Sequence, residues 1–427
     1  MKRETFLTTY LFMEKHLFTK PIDHEELPFP KLYAPELIKN LVNDLPACWQ
    51  QTAALALLPA LSVACGGMTY GKTEKPLAFQ VAVFGMAGTG KTQFSCRPAQ
   101  VVQHLISRHD DACRDTENSK ANGCPRVMGF DISTVMLSKY LQHAKSQTVM
   151  LYTDEISSAT GNDKSGNSFM QLQPILRKGF DGIEHTMDYK EKDSFRGRIY
   201  PRMSFLACGT PHTVFRYFNG NAVEDGSTRR VIFVEHPYHE EHVEEIAYSK
   251  EQLQYFQSEI EWLELQQSNL HLDAVEKAVL EWKQYKRAEC GDDMVAKLMI
   301  NTPTDIYRRT AYLAYVLNHY QDLGKAITFG RWVAEYALRC AFNITYNTQK
   351  NIEEKDKAFF SQSAQLQHED FNEQMLAQLP ETFSRQDVYQ YRDKQKYSGD
   401  KGNMAIISRW KKRGKITQID TNKYKKL

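Results

Sequence analysis

Val81-Ala-Val-Phe84 runs without a break into Gly85-Met-Ala-Gly88-Thr-Gly90-Lys91-Thr92, and this stretch decides how the chain is read. The four apolar residues suit a buried strand. The eight that follow match G-x-x-x-x-G-K-[ST], the phosphate loop. Gly85, Gly88 and Gly90 let the backbone N–H groups of the loop, that of Thr89 among them, close around phosphate oxygens where a helix begins. Lys91 supplies a positive charge to the terminal phosphates and the Thr92 hydroxyl a ligand for Mg²⁺, so ATP and Mg²⁺ are the expected cofactors. Thr92 to Arg108 reads as the helix that the loop requires, kinked at Pro98.

Further apolar runs follow at 126–130, 148–153, 203–208 and 230–234, separated by helix-compatible stretches. That alternation predicts an α/β layered core with a largely parallel sheet. The run Val149-Met-Leu-Tyr-Thr ends in Asp154-Glu155, as a Walker B strand beside the phosphate loop would. Asp154 is then expected to hold Mg²⁺ through water, and Glu155 to polarise the attacking water. Phe205-Leu-Ala-Cys-Gly209 ends at Thr210, which suits either a sensor of the γ-phosphate or a plain helix cap. Between these strands, Ile183 to Tyr200 reads as a hairpin with a charged tip. Lys190, Lys192, Arg196 and Arg198 would meet a nucleic-acid backbone there, or merely solvent. Asp225 to Arg230 offers, in one of its two arginines, a finger for a neighbouring subunit's nucleotide, or a surface ion pair. Arg308-Arg309 is a weaker candidate for a second cationic sensor.

Lys plus Arg number 54 and Asp plus Glu 52, a net charge of +2 that by itself predicts no partner. From Arg385 to Leu427, however, 13 basic residues face four acidic ones, a local +9 that leaves −7 for the rest. The tail therefore reads as a basic module. Its helix Ala405–Arg413 ends at Gly414 and enters a hairpin, which suits a winged helix. Arg409, Lys411, Lys412 and Arg413 would contact phosphates from it. The composition excludes a disordered or disulfide-built chain. Eight scattered cysteines lack metal-binding spacing and suggest buried thiols in a reducing compartment. The apolar run Ala53–Cys65 is too short for a bilayer and contains Pro59; with no signal peptide read at the start, a soluble cytoplasmic protein without a membrane partner is expected. The expected order is an N-terminal helical region (1–70, with Leu27–Tyr33 extended), the ATPase core (71–240), a helical bundle without strands (241–350), a polar linker (351–375) and the basic module (376–427).

From about Phe29 to Tyr346 the order of these motifs resembles a family of P-loop ATPases of bacterial mobile elements and phages. That family is related to the superfamily-three and primase-helicase branch of AAA+ proteins. The stretches carrying the likeness are the small-residue helix AALALLPALSVAC, the phosphate loop, FDISTVMLSKYLQ, Asp154-Glu155, LRKGFDG, the hairpin, Cys208-Gly-Thr210-Pro, Gly226 to Arg230 and Arg309-Thr-Ala. The resemblance implies an AAA+/RecA-like core in a homo-oligomeric, hexameric ring. It further implies a hairpin that tracks single-stranded or forked DNA, and a finger at Arg230, with Arg229 as the near alternative. Such a protein would be an ATP-hydrolysing helicase replicating or mobilising a mobile element, with primase or replication partners; the alternative is a DNA-bound initiator or loader that uses ATP as a switch. Val231 stands where these helicases carry an aromatic residue.

Overall fold

A computed structural model describes residues 26–113, 123–156, 172–188, 196–218, 226, 228–239, 243–343, 371–393, 407–408, 410–412 and 414–427. Contacts divide the chain into two units, Met1–Thr348 and Gln349–Leu427. The three regions expected within the first 350 residues therefore fold as one.

The first unit opens with α1 (Glu36–Val42) and α2 (Ala47–Ala64), then the short β1 (Thr69–Tyr70) and β2 (Lys75–Pro76). Leu27–Tyr33 is not extended throughout: residues 31–33 form a turn, because the Pro30 carbonyl accepts from the N–H groups of Tyr33 and Ala34. The strands β3 (Gln80–Phe84), β4 (Val127–Gly129) and β5 (Val149–Thr153) follow. After them come a hairpin of β6 (His185–Asp188) and β7 (Arg196–Ile199), then β8 (Met203–Gly209) and β9 (Val231–Glu235). Five of these strands form one all-parallel sheet in the order β4-β5-β8-β3-β9. All five lie close to the runs expected from the sequence. β8 is buried along its whole length, as a parallel sheet covered on both faces requires.

β8 thus stands between the phosphate-loop strand and the acidic strand, which do not pair directly. β3 sends its connection across β8 and β5 to β4, whereas β8 sends its own across β3 to β9. Neighbouring strands whose connections leave in opposite directions mark the switch point of an open α/β sheet. Ligands of such sheets bind outside the carboxyl ends of the strands at that point.

The helix that covers this sheet is unusual for its uniform burial. α2 buries every residue from Trp49 to Ala64, and it packs against β3, β5, β8 and β9. A helix apolar all round has no solvent face to present. Its Pro59 cannot donate a helical bond to the Leu55 carbonyl, and one turn on the Ser62 hydroxyl donates to the Pro59 carbonyl at 2.6 Å. Ser62 Oγ also meets Ser204 Oγ at 2.7 Å, which in turn accepts from Phe79 N–H, so the buried hydroxyls are satisfied. Among the described residues α2 is the only helix long and apolar enough to cross a membrane, and 89% of it is buried inside the fold.

The helix after the phosphate loop starts later than expected. Residues 91–96 form turns, and α3 spans Arg97–Ile106 with Pro98 in its first turn rather than at a kink. Proline there cannot donate to the Phe94 carbonyl, which accepts from Arg97 N–H instead, at 3.1 Å. Beyond the loop, α4 (Thr134–Leu141), α5 (Leu172–Asp181) and α6 (Pro211–Tyr217) alternate with the strands.

After β9 come α7 (Lys250–Glu264), α8 (Asp273–Glu289), α9 (Met294–Met299), α10 (Asn301–Leu317) and α11 over residues 323–343. The bundle is not free of strands. Asn269–Leu270 forms β10, pairs in parallel with β1, and ties the bundle to the first 70 residues. Two residues carry no periodicity, so the sequence gives no sign of it.

The second unit has α12 (Phe371–Gln378), β11 (Thr382–Ser384), α13 (Arg385–Asp393), a helical turn at 410–412, β12 (Ile416–Asp420) and β13 (Lys423–Lys426). Its antiparallel sheet has the order β11-β13-β12, and Phe383, Val388, Trp410, Ile416 and Tyr424 belong to its core. Gly414, at φ +65°, ends the helical turn as expected. The module begins by Phe371, earlier than the expected 376, and the rest of the expected linker lies outside the described residues.

Candidate functional site at the carboxyl edge of the sheet

Three chain segments leave the sheet side by side at its carboxyl edge. Gly85 N–H donates to the Gly209 carbonyl at 3.3 Å, and Ile156 N–H donates to the Cys208 carbonyl at 2.7 Å. On the far side His236 N–H donates to the Phe84 carbonyl at 2.7 Å. The edge therefore reads, in order, Asp154-Glu155, Thr210, the loop 85–92, and His236. The residues singled out on β3, β5 and β8 come together at the switch point.

Within the loop, Gly88 and Gly90 adopt φ of +79° and +77°, which only glycine takes without strain. A Cβ on Gly90 would also stand 2.5 Å from the Phe94 ring. The Thr89 hydroxyl donates to the Met86 carbonyl. Lys91 Nζ is folded back onto the loop and donates to the carbonyls of Gly85 (3.0 Å) and Met86 (2.8 Å). Thr92 is half-buried beside it.

Asp154 and Glu155 are exposed at the end of β5. The Thr153 hydroxyl accepts from Glu155 N–H and donates to the Glu155 carbonyl, so the turn that presents the two acids is braced. Thr210 is the N-cap of α6 in a reciprocal capping box. Its hydroxyl accepts from Thr213 N–H, and Thr213 Oγ1 accepts from Thr210 N–H. Thr213 Oγ1 also lies 3.4 Å from Glu155 Oε1. Thr213 thus places a hydroxyl against the carboxylate of the candidate base, a role that its sequence position does not announce. Thr-x-x-Thr marks only a helix cap and carries no sign of the contact with Glu155.

β3 and β5 lie two interstrand spacings apart, about 10 Å, leaving room between the Lys91 turn and the two acids. Cys208 occupies that interval within the sheet. Its Sγ lies 3.2 Å from Cys96 Sγ, and both thiols are fully buried. The hydrogen bond to Cys96 and burial push the Cys208 pKa well up, so it stays a neutral packing residue.

Other candidates lie elsewhere. Arg230 precedes β9 at the opposite, amino edge of the sheet, and five strand residues separate it from His236. Its Nη2 and Nε bond Asp181 Oδ2 at 2.7 and 3.2 Å, and its Nη1 donates to the Gly226 carbonyl. It cannot serve the phosphate loop of its own chain. Arg229 is half-buried beside it. The Arg308-Arg309 pair is structural rather than a sensor. Arg309 is fully buried, its guanidinium 3.7 Å from the Phe180 ring centroid, and it donates to the Ala78 carbonyl and Tyr70 hydroxyl. Arg308 is ion-paired with Glu276 and Asp305.

On the hairpin, Arg198 is 73% exposed and faces Glu184 at 3.6 Å. The Arg196 backbone lies in β7, while Lys190 and Lys192 lie outside the described residues. In the second unit Lys411 and Lys412 are exposed on the helical turn, and Lys411 Nζ reaches Gln418. Arg409 and Arg413 lie outside the described residues. No cluster of metal-ligating side chains occurs among the described residues.

Compared with protein-family models and with curated protein sequences, the chain has no match.

Proposed function

We propose that the chain is a P-loop ATPase that couples ATP hydrolysis to movement along DNA, a helicase or translocase of the AAA+ superfamily-three-like type. One observation carries this reading. The phosphate-loop motif and the Asp154-Glu155 strand end at the same edge of the sheet, about a switch point, with one strand between them. The donors present are hard oxygens and one mobile ammonium, which suits a phosphate bound with Mg²⁺. Thr92 and Asp154 would hold that ion, which would neutralise charge on the phosphates. Lys91 would leave the Gly85 and Met86 carbonyls for the terminal phosphate oxygens, and Glu155 would orient and deprotonate the attacking water. Thr210, already engaged as a cap, would place Thr213 against Glu155.

Arg230 suits a ring in which ATP lies between subunits, because at the amino edge of the sheet it is out of reach of its own phosphate loop and could act only on another chain's. A head-to-tail joint closes into a ring where its rotation returns to the start, and a hexamer is proposed. The β6–β7 hairpin would touch the DNA and move with the subunit as the joint closes. The second unit has the element order of a winged helix, and its exposed Lys411, Lys412, Lys423 and Lys425 would bind phosphates. Replication or mobilisation of a mobile element or phage, alongside a primase, would be its setting. The second reading is a DNA-bound ATPase switch. The Asp181 contact favours it, since it holds Arg230 within its own chain.

Lys91→Ala is expected to weaken ATP binding by roughly 30- to 1,000-fold, the loss from truncating one partner of a close charge pair. Calorimetric titration with ATP checks it, and wild-type affinity in the variant would remove the phosphate-site reading. The function itself is tested by ATP turnover with and without single-stranded DNA, alongside mass by light scattering. DNA-stimulated turnover in a multimer is the motor's result; slow, unstimulated turnover with DNA bound is the switch's. Deleting residues 371–427 should weaken DNA affinity and flatten its dependence on salt by about one unit of slope per lost phosphate contact.

A further inference from the structure

His236, at the carboxyl edge of the sheet, is a chemistry-bearing residue that the proposed reaction leaves unused. It follows β9 directly, is 1% exposed, and both of its ring nitrogens are engaged with the phosphate-loop segment. Nε2 lies 2.8 Å from the Thr89 carbonyl, and Nδ1 lies 2.8 Å from Ser95 Oγ. A carbonyl can only accept, so Nε2 carries the proton and Nδ1 accepts from the serine hydroxyl. Thr89 lies in the glycine loop and Ser95 in the turn that follows it, so one imidazole bridges both ends of Lys91-Thr92. The ring is in turn fixed by Trp49, which stacks on His236 at 4.9 Å and on Phe94 at 4.8 Å. The Trp49 indole N–H donates to the Pro237 carbonyl. Burial, opposed in part by the Thr89 carbonyl, pushes the His236 pKa down to about 4, so the ring is neutral at physiological pH. A neutral ring can donate on one side and accept on the other; an imidazolium would have to abandon Ser95 or turn its hydroxyl around.

We propose that His236 is a positioning residue that clasps the phosphate loop, holding the Thr89 carbonyl turned inward so that neighbouring loop amides stay turned toward phosphate. It acts through the loop and touches no reacting atom. The proposal rests on the reading of residues 85–92 as a phosphate site. Ordering the loop before nucleotide arrives removes an entropic cost from binding, and its loss appears in affinity rather than in the chemical step.

The test compares His236→Phe, which keeps the stack on Trp49 but removes both polar arms, with His236→Asn, whose amide can still donate to the Thr89 carbonyl. His236→Phe is expected to raise the KM and Kd for ATP about tenfold with kcat kept, and to speed amide exchange over 85–96 in nucleotide-free protein. His236→Asn should recover part of both. Ser95→Ala, which removes one arm without disturbing the stack, should give a smaller change in the same direction. If His236→Phe folds poorly, Ser95→Ala decides. Unchanged ATP affinity and unchanged loop exchange would overturn the clasp, as would equal losses in kcat and affinity that follow a lowered Tm. If the wild-type chain binds no ATP yet His236→Phe still loosens 85–96, the clasp stands and the phosphate-site reading falls.

Discussion

Replacing Arg230 by alanine is expected to lower ATP turnover about 10³–10⁵-fold, the range for a charge supplied in trans to a phosphoryl-transfer site, while ATP binding is retained. The direction follows from placement. Arg230 stands at the amino edge of the sheet and the phosphate loop at the carboxyl edge, with β9 between them. The fold should survive, because the Arg230–Asp181 pair is about a quarter exposed and such pairs contribute about 0–1 kcal/mol. Mixing variants gives the decisive measurement. Arg230→Ala subunits keep Glu155, and Glu155→Gln subunits keep Arg230. In randomly mixed rings roughly a quarter of the joints then combine an intact Glu155 with an intact Arg230 across a head-to-tail contact. Two inactive proteins should regain activity on mixing. No recovery, in preparations shown to exchange subunits, would remove Arg230 from the joint.

Glu155→Gln is expected to lower kcat about 10²–10⁴-fold, the usual contribution of a general base, with ATP affinity held. The amide keeps the shape of the carboxylate and can still bond the Thr213 hydroxyl, so the turn braced by Thr153 should not shift. What it loses is the capacity to take a proton from water. Single-turnover hydrolysis set against nucleotide affinity separates the two effects. Wild-type turnover in the variant would assign the base elsewhere.

Much of the sheet was legible because a parallel strand covered on both faces must be apolar along its length, and β3, β5, β8 and β9 are. Their order was not legible. A run such as Met203–Gly209 looks the same whether it pairs at the edge or between two others, so the strand between Lys91 and Glu155 appears only in three dimensions. Residues whose role is local, in the glycine loop and the acidic turn, could be named from the sequence. Those whose role depends on distant partners could not. His236 follows a strand with nothing to mark it until Thr89 and Ser95 are seen against it, and Arg309 reads as a candidate cationic sensor until Phe180 is seen to cover it. The two-residue β10 joins residues some 200 positions apart and leaves no periodic trace.

The uniform burial of α2 also has a consequence for biosynthesis. Its covering strands β3, β8 and β9 are all encoded downstream, the last ending at Glu235. At roughly 5–20 residues per second, a ribosome takes on the order of ten to thirty seconds to pass from the end of the helix to the end of β9. Throughout that interval the nascent chain displays a helix nearly as apolar as a short membrane anchor, with its native cover of β3, β5, β8 and β9 still incomplete. Trigger-factor-like holdases and the targeting machinery would compete for it before the sheet does, so the yield of folded protein should depend on who reaches that helix first.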